Sequence, residues 1–307
     1  MDFGEKSVPE GCEVPDRQVR APRPEWLKVR LPAGERYASL RKLIHKQQLH
    51  TVCESARCPN VGECWGSGTA TFLILGDTCT RACKFCAVKT GLPPAYDLDE
   101  PRRIAEAVRR MNLEYAVVTS VDRDDLEDGG AFVFAETIRL TRESSPAIRI
   151  EVLIPDLRGN EQALRTIVAA RPDVLAHNVE TVPRLYPMVR AGSRFRRSLK
   201  LLAAVKAFHT AMITKSSIML GLGERTDEVL ETMRNLREAA VDILTLGQYL
   251  QPTRDQLPVA RYYSPDEFRD LREAALALGF SHVASGPLVR SSYHAERQKT
   301  ILPVQAP

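Results

Sequence analysis

From residue 71 onward the hydrophobic pattern switches period repeatedly, and that alternation restricts the fold more than any other feature of the chain. Short apolar runs at 71–75, 115–119, 148–153, 174–177, 216–220 and 243–246 read as buried strands, with a further short strand at 280–284. Between them lie stretches of helical spacing. Ile104, Val108 and Met111 fall on one face, as do Leu164, Ile167 and Val168, then Val229, Leu230, Met233 and Leu236, then Phe268, Leu271, Ala275 and Leu278. Pro101 and Pro265 stand where helices begin, positions at which a missing N–H costs little. Such alternation joins parallel strands by right-handed crossovers. About six β–α units fit a partial (β/α) barrel or a doubly wound sheet, and periodicity does not choose between them. In either, a reactive site belongs at the C-terminal ends of the strands.

The rest of the chain divides around this unit. Residues 1–24 are polar and proline-rich and read as a flexible arm; 25–70 form an N-terminal extension with a helix over 38–50; 71–284 form the repeated α/β unit; 285–307 form a C-terminal extension. A chain of 307 residues buries a core without crosslinks, so clustered ligating side chains read as functional. The formal charge of +4 is too small to point to nucleic acid. No apolar run approaches the roughly 18 residues of a membrane span. The first ten residues are acidic and polar, unlike a secretory or organelle leader, so a cytoplasmic location is expected.

Six of the seven cysteines lie within residues 53–86, and the seventh, Cys12, stands apart and reads as a free thiol without a role. An odd total in a chain of this size argues against a disulfide scaffold and for ligation. Cys79, Cys83 and Cys86 are spaced C-x3-C-x2-C directly after the first strand. Three thiolates on one loop hold three corners of a 4Fe–4S cluster and leave one iron open. Zinc is the plainer alternative, but it usually takes four ligands in paired knuckles, which this spacing does not offer. Cys53, Cys58 and Cys64 are spaced C-x4-C-x5-C, a weak signal alone. Beside the first triplet they supply three ligands for a second cluster.

The first triplet, its place after strand one and Phe85 before its last cysteine resemble the radical S-adenosylmethionine (SAM) superfamily. The two triplets together, with Trp65, resemble lipoyl synthases. The likeness runs over most of the chain: Pro24, Trp26 and Lys28; Pro59, Asn60 and Glu63; and the stretches 119–125, 177–181, 214–216, 221–224, 247–252 and 284–295. It implies a partial (β/α)6 barrel of TIM type, in which the first cluster binds and cleaves SAM. The resulting radical takes hydrogen from the sixth and eighth carbons of an octanoyl chain held on a lysine of a carrier domain. The second cluster, with Ser292 as its fourth ligand (Ser291 the weaker choice), is consumed as the sulfur donor. Implied partners are the octanoylated lipoyl domains of 2-oxoacid dehydrogenase acyltransferases and the glycine cleavage carrier protein. A low-potential donor such as ferredoxin or flavodoxin and an iron–sulfur carrier for rebuilding the cluster are implied too, with neither nucleic acid nor membrane.

Phe85, Thr119, Asn178, Glu180, Gly221 and Glu224 are the expected SAM contacts, Phe85 and 221–224 from the resemblance and Thr119, Asn178 and Glu180 from their places after strand ends. Each has a plainer alternative: Asn178 and Glu180 as caps after a strand, 221–224 as a strand–helix turn. The acidic run 122–125 lacks the glycine and terminal glutamate of a calcium loop. Arg194, Arg196 and Arg197 read as a receiver for an acidic carrier domain or as a solvated helix start. The chain departs from the family pattern with Ala191 before Gly192, Phe195 in place of tyrosine, Glu127 in place of proline and Ser217 in place of glycine. Two rivals share part of this pattern. A different radical SAM sulfur inserter would have the first triplet but lack the 290–295 stretch, and an iron–sulfur carrier would not need the barrel.

Overall fold

In the computed structural model, residues 22–29, 34–56, 58–66 and 68–302 are described. Cys12 and residues 1–21 of the arm lie outside them. The chain opens with a 3-10 turn, Glu25–Leu27, and helix α1, Glu35–Lys46, which ends earlier than the expected 38–50. Gln48 explains the early stop, because its φ of 51° leaves the helical region. Strand β1, His50–Thr51, and helices α2, Val52–Ser55, and α3, Val61–Gly66, follow.

The seven runs expected as strands all form strands: β2, Thr69–Ile74; β5, Tyr115–Ser120; β6, Arg149–Leu153; β7, Val174–Ala176; β8, Ile213–Leu220; β9, Ile243–Gln248; and β10, His282–Gly286. A separate ribbon after β2 comprises β3, Thr78–Cys79, and β4, Lys89–Thr90. The strands of the main sheet pair in the order β1-β2-β5-β6-β7-β8-β9-β10, all parallel except β1. That order answers what periodicity left open. A doubly wound sheet reverses direction at its middle and carries helices on both faces. Here each strand lies beside the next in sequence, so right-handed crossovers put every helix on one face, as in a barrel.

The helices are α4, Glu100–Arg110; α5, Ala131–Ser144; α6, Glu161–Ala169; α7, Tyr186–Val189; α8, Phe195–Phe208; α9, Thr226–Glu238; and α10, Pro265–Ala277. Alternation along the strands separates two apolar layers. Ala116, Val118, Leu175 and Leu244 belong to the main core that packs on the helices. Their neighbours Tyr115, Val117, Val174 and Ile243 form a second cluster on the opposite face, together with Ala295 and Leu302. The C-terminal segment therefore closes the inner face of the sheet. On that face Lys215 donates to both oxygens of Glu151 at 2.8 and 3.1 Å, and Tyr115 donates to Glu151 at 2.8 Å, all three fully buried.

Candidate radical and sulfur-donor site

Beyond the C-terminal end of β2, Cys79 ends β3, and Cys83 and Cys86 follow on the loop to β4. The connections that follow four other strands hold it. Thr80 donates its N–H (3.0 Å) and its hydroxyl (2.9 Å) to the carbonyl of Asp122, after β5. The Lys84 N–H donates to the Val189 carbonyl of α7, and the Lys84 carbonyl accepts from Leu257, both at 2.9 Å. Arg81, inside the triplet and buried, forks onto Asp124 at 2.7 and 2.8 Å and reaches Asp156 at 2.6 Å and the Ser193 hydroxyl at 3.2 Å. Arg197 reaches the other oxygen of Asp156 at 3.0 Å. Burial alone would raise Asp156, but the Arg81 guanidinium, helped by the Arg158 N–H, overrides it and holds the carboxyl at about 2.

Backbone N–H groups point at the sulfurs: Arg81 and Asp122 at Cys79 Sγ (3.4 and 3.3 Å) and Val88 at Cys86 Sγ (3.4 Å). Desolvation pushes Cys83 up to about 12 and Cys86 up to about 11, with Arg190 opposing the rise at Cys83. Cys79 also rises, from burial and then from the Asp122 carboxylate beside it. Buried thiols that repel one another as thiolates give up their protons when a cationic centre binds, so this donor set fits an iron–sulfur cluster. The N–H to sulfur contacts are the kind that tune such a centre.

Asn178 and Glu180 follow β7 and border this loop. The Asn178 amide donates to Glu180 Oε1 at 3.1 Å, and the buried Asn178 Oδ1 has no partner. Glu180 holds a φ of 65°, and burial raises its carboxyl against the pull of Arg190. Arg190 was not singled out from the sequence. It is buried, donates Nη1 to the Asn178 carbonyl at 2.8 Å, and leaves its Nε unpartnered. Its charge acts on both Cys83 and Glu180. The other expected contacts are partly engaged within the fold. Thr119 donates to the Leu153 carbonyl at 2.8 Å. Both Glu224 oxygens accept turn N–H groups, from Gly221 at 2.6 Å and Leu222 at 2.9 Å. Gly221, at φ 104°, leaves no room for a Cβ, which would fall 2.2 Å from Gln248 Nε2. Phe85 is half-buried against the core.

The second triplet lies at the other end of β2. Cys53 on α2 and Cys64 on α3 share a small pocket with Cys58, Thr69, Thr71, Arg290 and Ser292. Ser292 accepts from the Thr71 hydroxyl at 2.9 Å; Ser291 does not line the pocket. Burial pushes Cys53 to about 11 and Cys64 to about 12, and raises Cys58, where Arg290 opposes it. Three soft donors and one hydroxyl around a single desolvated pocket again fit a cluster with a harder fourth ligand. The C-terminal segment is fastened over it. Asn60 donates to the Leu288 carbonyl at 2.6 Å, and His294 stands 2.8 Å from both Glu63 and Glu296. Gly247 makes room for this segment, since a Cβ there would meet the Val289 carbonyl at 2.1 Å.

Residues 73–236 match the Radical SAM superfamily, and residues 7–58 match the N-terminal domain of lipoyl synthase of the radical SAM family. A lipoyl synthase of Koribacter versatilis is 56% identical over 278 residues, covering 91% of each chain. One of Halalkalibacterium halodurans is 57% identical over 277 residues, covering 90% of this chain and 91% of the other. The chain belongs to the lipoyl synthase family. It is therefore a radical SAM sulfurtransferase, and an iron–sulfur cluster and SAM come with that superfamily. Distant solved structures share the fold alone. Methylornithine synthase has a TM-score of 0.53 at 14% identity, over 81% of each chain. Streptococcus suis SuiB with its precursor peptide has a TM-score of 0.55 at 12% identity, over 80% of this chain and 52% of the other.

Proposed function

We propose that the protein carries two 4Fe–4S clusters and inserts two sulfur atoms, at the sixth and eighth carbons, into an octanoyl chain on the lysine of a lipoyl carrier domain. Cys79, Cys83 and Cys86 hold one cluster; Cys53, Cys58, Cys64 and Ser292 hold the other. When bound, the first centre and SAM supply a hydrogen-abstracting radical, and the second supplies sulfide. The observation that carries this reading is the pocket in which three cysteines of the N-terminal extension meet Ser292 of the C-terminal segment. Such a pocket has no use in a protein that only cleaves SAM.

The chain's own residues divide the work. The Arg81 clasp fixes the loop of the first triplet. Asn178, Glu180 and Arg190 line the side of that loop with an unpaired amide oxygen, a carboxyl and a guanidinium, groups suited to the amino and carboxylate ends of SAM. Gly221 and Glu224 enter as architects of the turn beside it; Thr119 and Phe85 border the same mouth. Desolvation keeps water from competing for reactive intermediates. Ser292 offers a hydroxyl, a harder donor than thiolate, so its corner opens most easily. The extensions 25–70 and 285–307 form a unit around the second pocket, set on the barrel of 71–284. A cytoplasmic location, a ferredoxin- or flavodoxin-type donor and an iron–sulfur carrier for rebuilding the second cluster complete the reading. Acyltransferase lipoyl domains and the glycine cleavage carrier protein are the substrates it names.

The test is a product assay under strict anaerobiosis, with SAM, a low-potential reductant and an octanoylated carrier domain. The reading expects 5′-deoxyadenosine together with lipoylated carrier. 5′-Deoxyadenosine without sulfur in the carrier would point instead to another radical SAM reaction, and neither product would contradict the assignment.

A further inference from the structure

The mouth of the barrel carries an unusual charge arrangement. Two of its acids are engaged internally, half-buried Asp124 by Arg81 and buried Asp156 by Arg81 and Arg197. Outside them, Lys84, Arg194 and Arg196 are exposed. None of the three forms an ion pair among the described residues, whereas Arg197 and Lys200 of the same helix do, with Asp156 and Glu161. Arg194 is the N-cap of α8 and Arg196 lies in its first turn, which holds no acid and no side-chain cap. Cations at that end oppose the helix dipole. Helices α4, α6, α9 and α10 begin with acids instead.

Backbone and side-chain contacts make the three cations one surface. Lys84 is bonded through its N–H to Val189, and Arg81 reaches Ser193, so the triplet loop and the segment leading into α8 are in direct contact. Ala191 and Gly192, both exposed, separate them with the least possible side chain. On the far side Arg158 is exposed too, but Glu127 lines the same groove, which marks the edge of the basic surface.

We propose that Lys84, Arg194 and Arg196 form a docking ridge for an acidic carrier domain, which lays its acyl-lysine arm over Ala191 and Gly192 into the barrel mouth. This rests on the substrate reading above: an acyl chain attached to a folded domain reaches the mouth only if a surface beside it receives that domain. Charge complementarity at an exposed rim acts chiefly on encounter and weakens with salt.

The test compares wild type with the double variant R194E/R196E on two substrates, an octanoylated acidic carrier domain and a short octanoyl-lysine peptide. The expected result, read from single turnovers, is a half-saturating carrier-domain concentration raised about tenfold or more, with the maximal single-turnover rate and the peptide kinetics unchanged. Adding salt should weaken the wild type toward the variant. Equal kinetics on the carrier domain would overturn the proposal. If the variant loses both substrates, titration of the carrier domain against variant and wild type without turnover decides: weaker binding by the variant supports the ridge, and equal binding refutes it. That titration also stands if the wild type fails to insert sulfur, so a failure of the reaction assignment is seen separately.

Discussion

His177 is buried and neutral, and its two ring nitrogens have different partners. The Ile154 carbonyl, 2.8 Å away, can only accept, so Nδ1 carries the proton and Nε2 accepts from the Ser198 hydroxyl at 2.8 Å. Burial, and then Arg190, hold His177 at about 4. Between pH 6.5 and 4 the unfolded chain binds a proton that the folded chain refuses, so stability falls as pH drops through that window. Asp156 continues the trend lower down: its stabilisation is present above 3.8 and is lost as pH falls toward 2. Acidification through these windows costs about 3 kcal/mol at His177 and about 2 kcal/mol at Asp156. Thermal unfolding of the cluster-free protein should show a midpoint that declines from pH 6.5 downward, with His177→Gln flattening the upper part. A wild-type midpoint constant from pH 6.5 to 4.5 would speak against a neutral buried His177. Among the cysteines, Cys58→Ala should leave SAM cleavage intact and abolish sulfur transfer, while Cys83→Ala should abolish both. Chromatography of 5′-deoxyadenosine and mass measurement of the carrier read the two steps separately, and the reverse pattern would mean the triplets have exchanged roles.

At the scale of elements, β9 and the C-terminal segment meet at Gly247, where any Cβ collides with the Val289 carbonyl. Gly247→Ala should shift the segment that carries Ser292. The expected outcome is loss of the second cluster's iron with SAM cleavage retained; unchanged iron would show that the segment yields without cost. The strands were legible because β2, β5, β7 and β9 are mostly apolar runs buried on both faces, a pattern that survives in one dimension. The start of β8 was not legible. Thr214 and Lys215 look like loop residues, and only the pairing of Lys215 with Glu151 across the inner face makes a buried lysine tolerable. The two cysteine triplets could be read because their spacing is local. Arg190 could not, because its meaning comes from Cys83, more than a hundred residues away, and a lone arginine after a short helix carries no signal. Arg81 was hidden in the same way, between two cysteines and dependent on acids from two other loops.

Across the whole molecule, the two triplets lie at opposite ends of one strand. Cys79 follows the end of β2, and the second pocket is lined by Thr69 and Thr71 at its beginning. The inner face between them is closed by Ala295 and Leu302 of the same C-terminal segment that brings Ser292. One barrel thus holds both sites, and the terminal extensions complete the second. The proposed division of labour needs two clusters on one chain, and iron content tests that most directly. Protein reconstituted anaerobically with iron and sulfide should bind about eight irons per chain, as two 4Fe–4S clusters require. A value near four, with Cys58→Ala making no difference, would contradict the account.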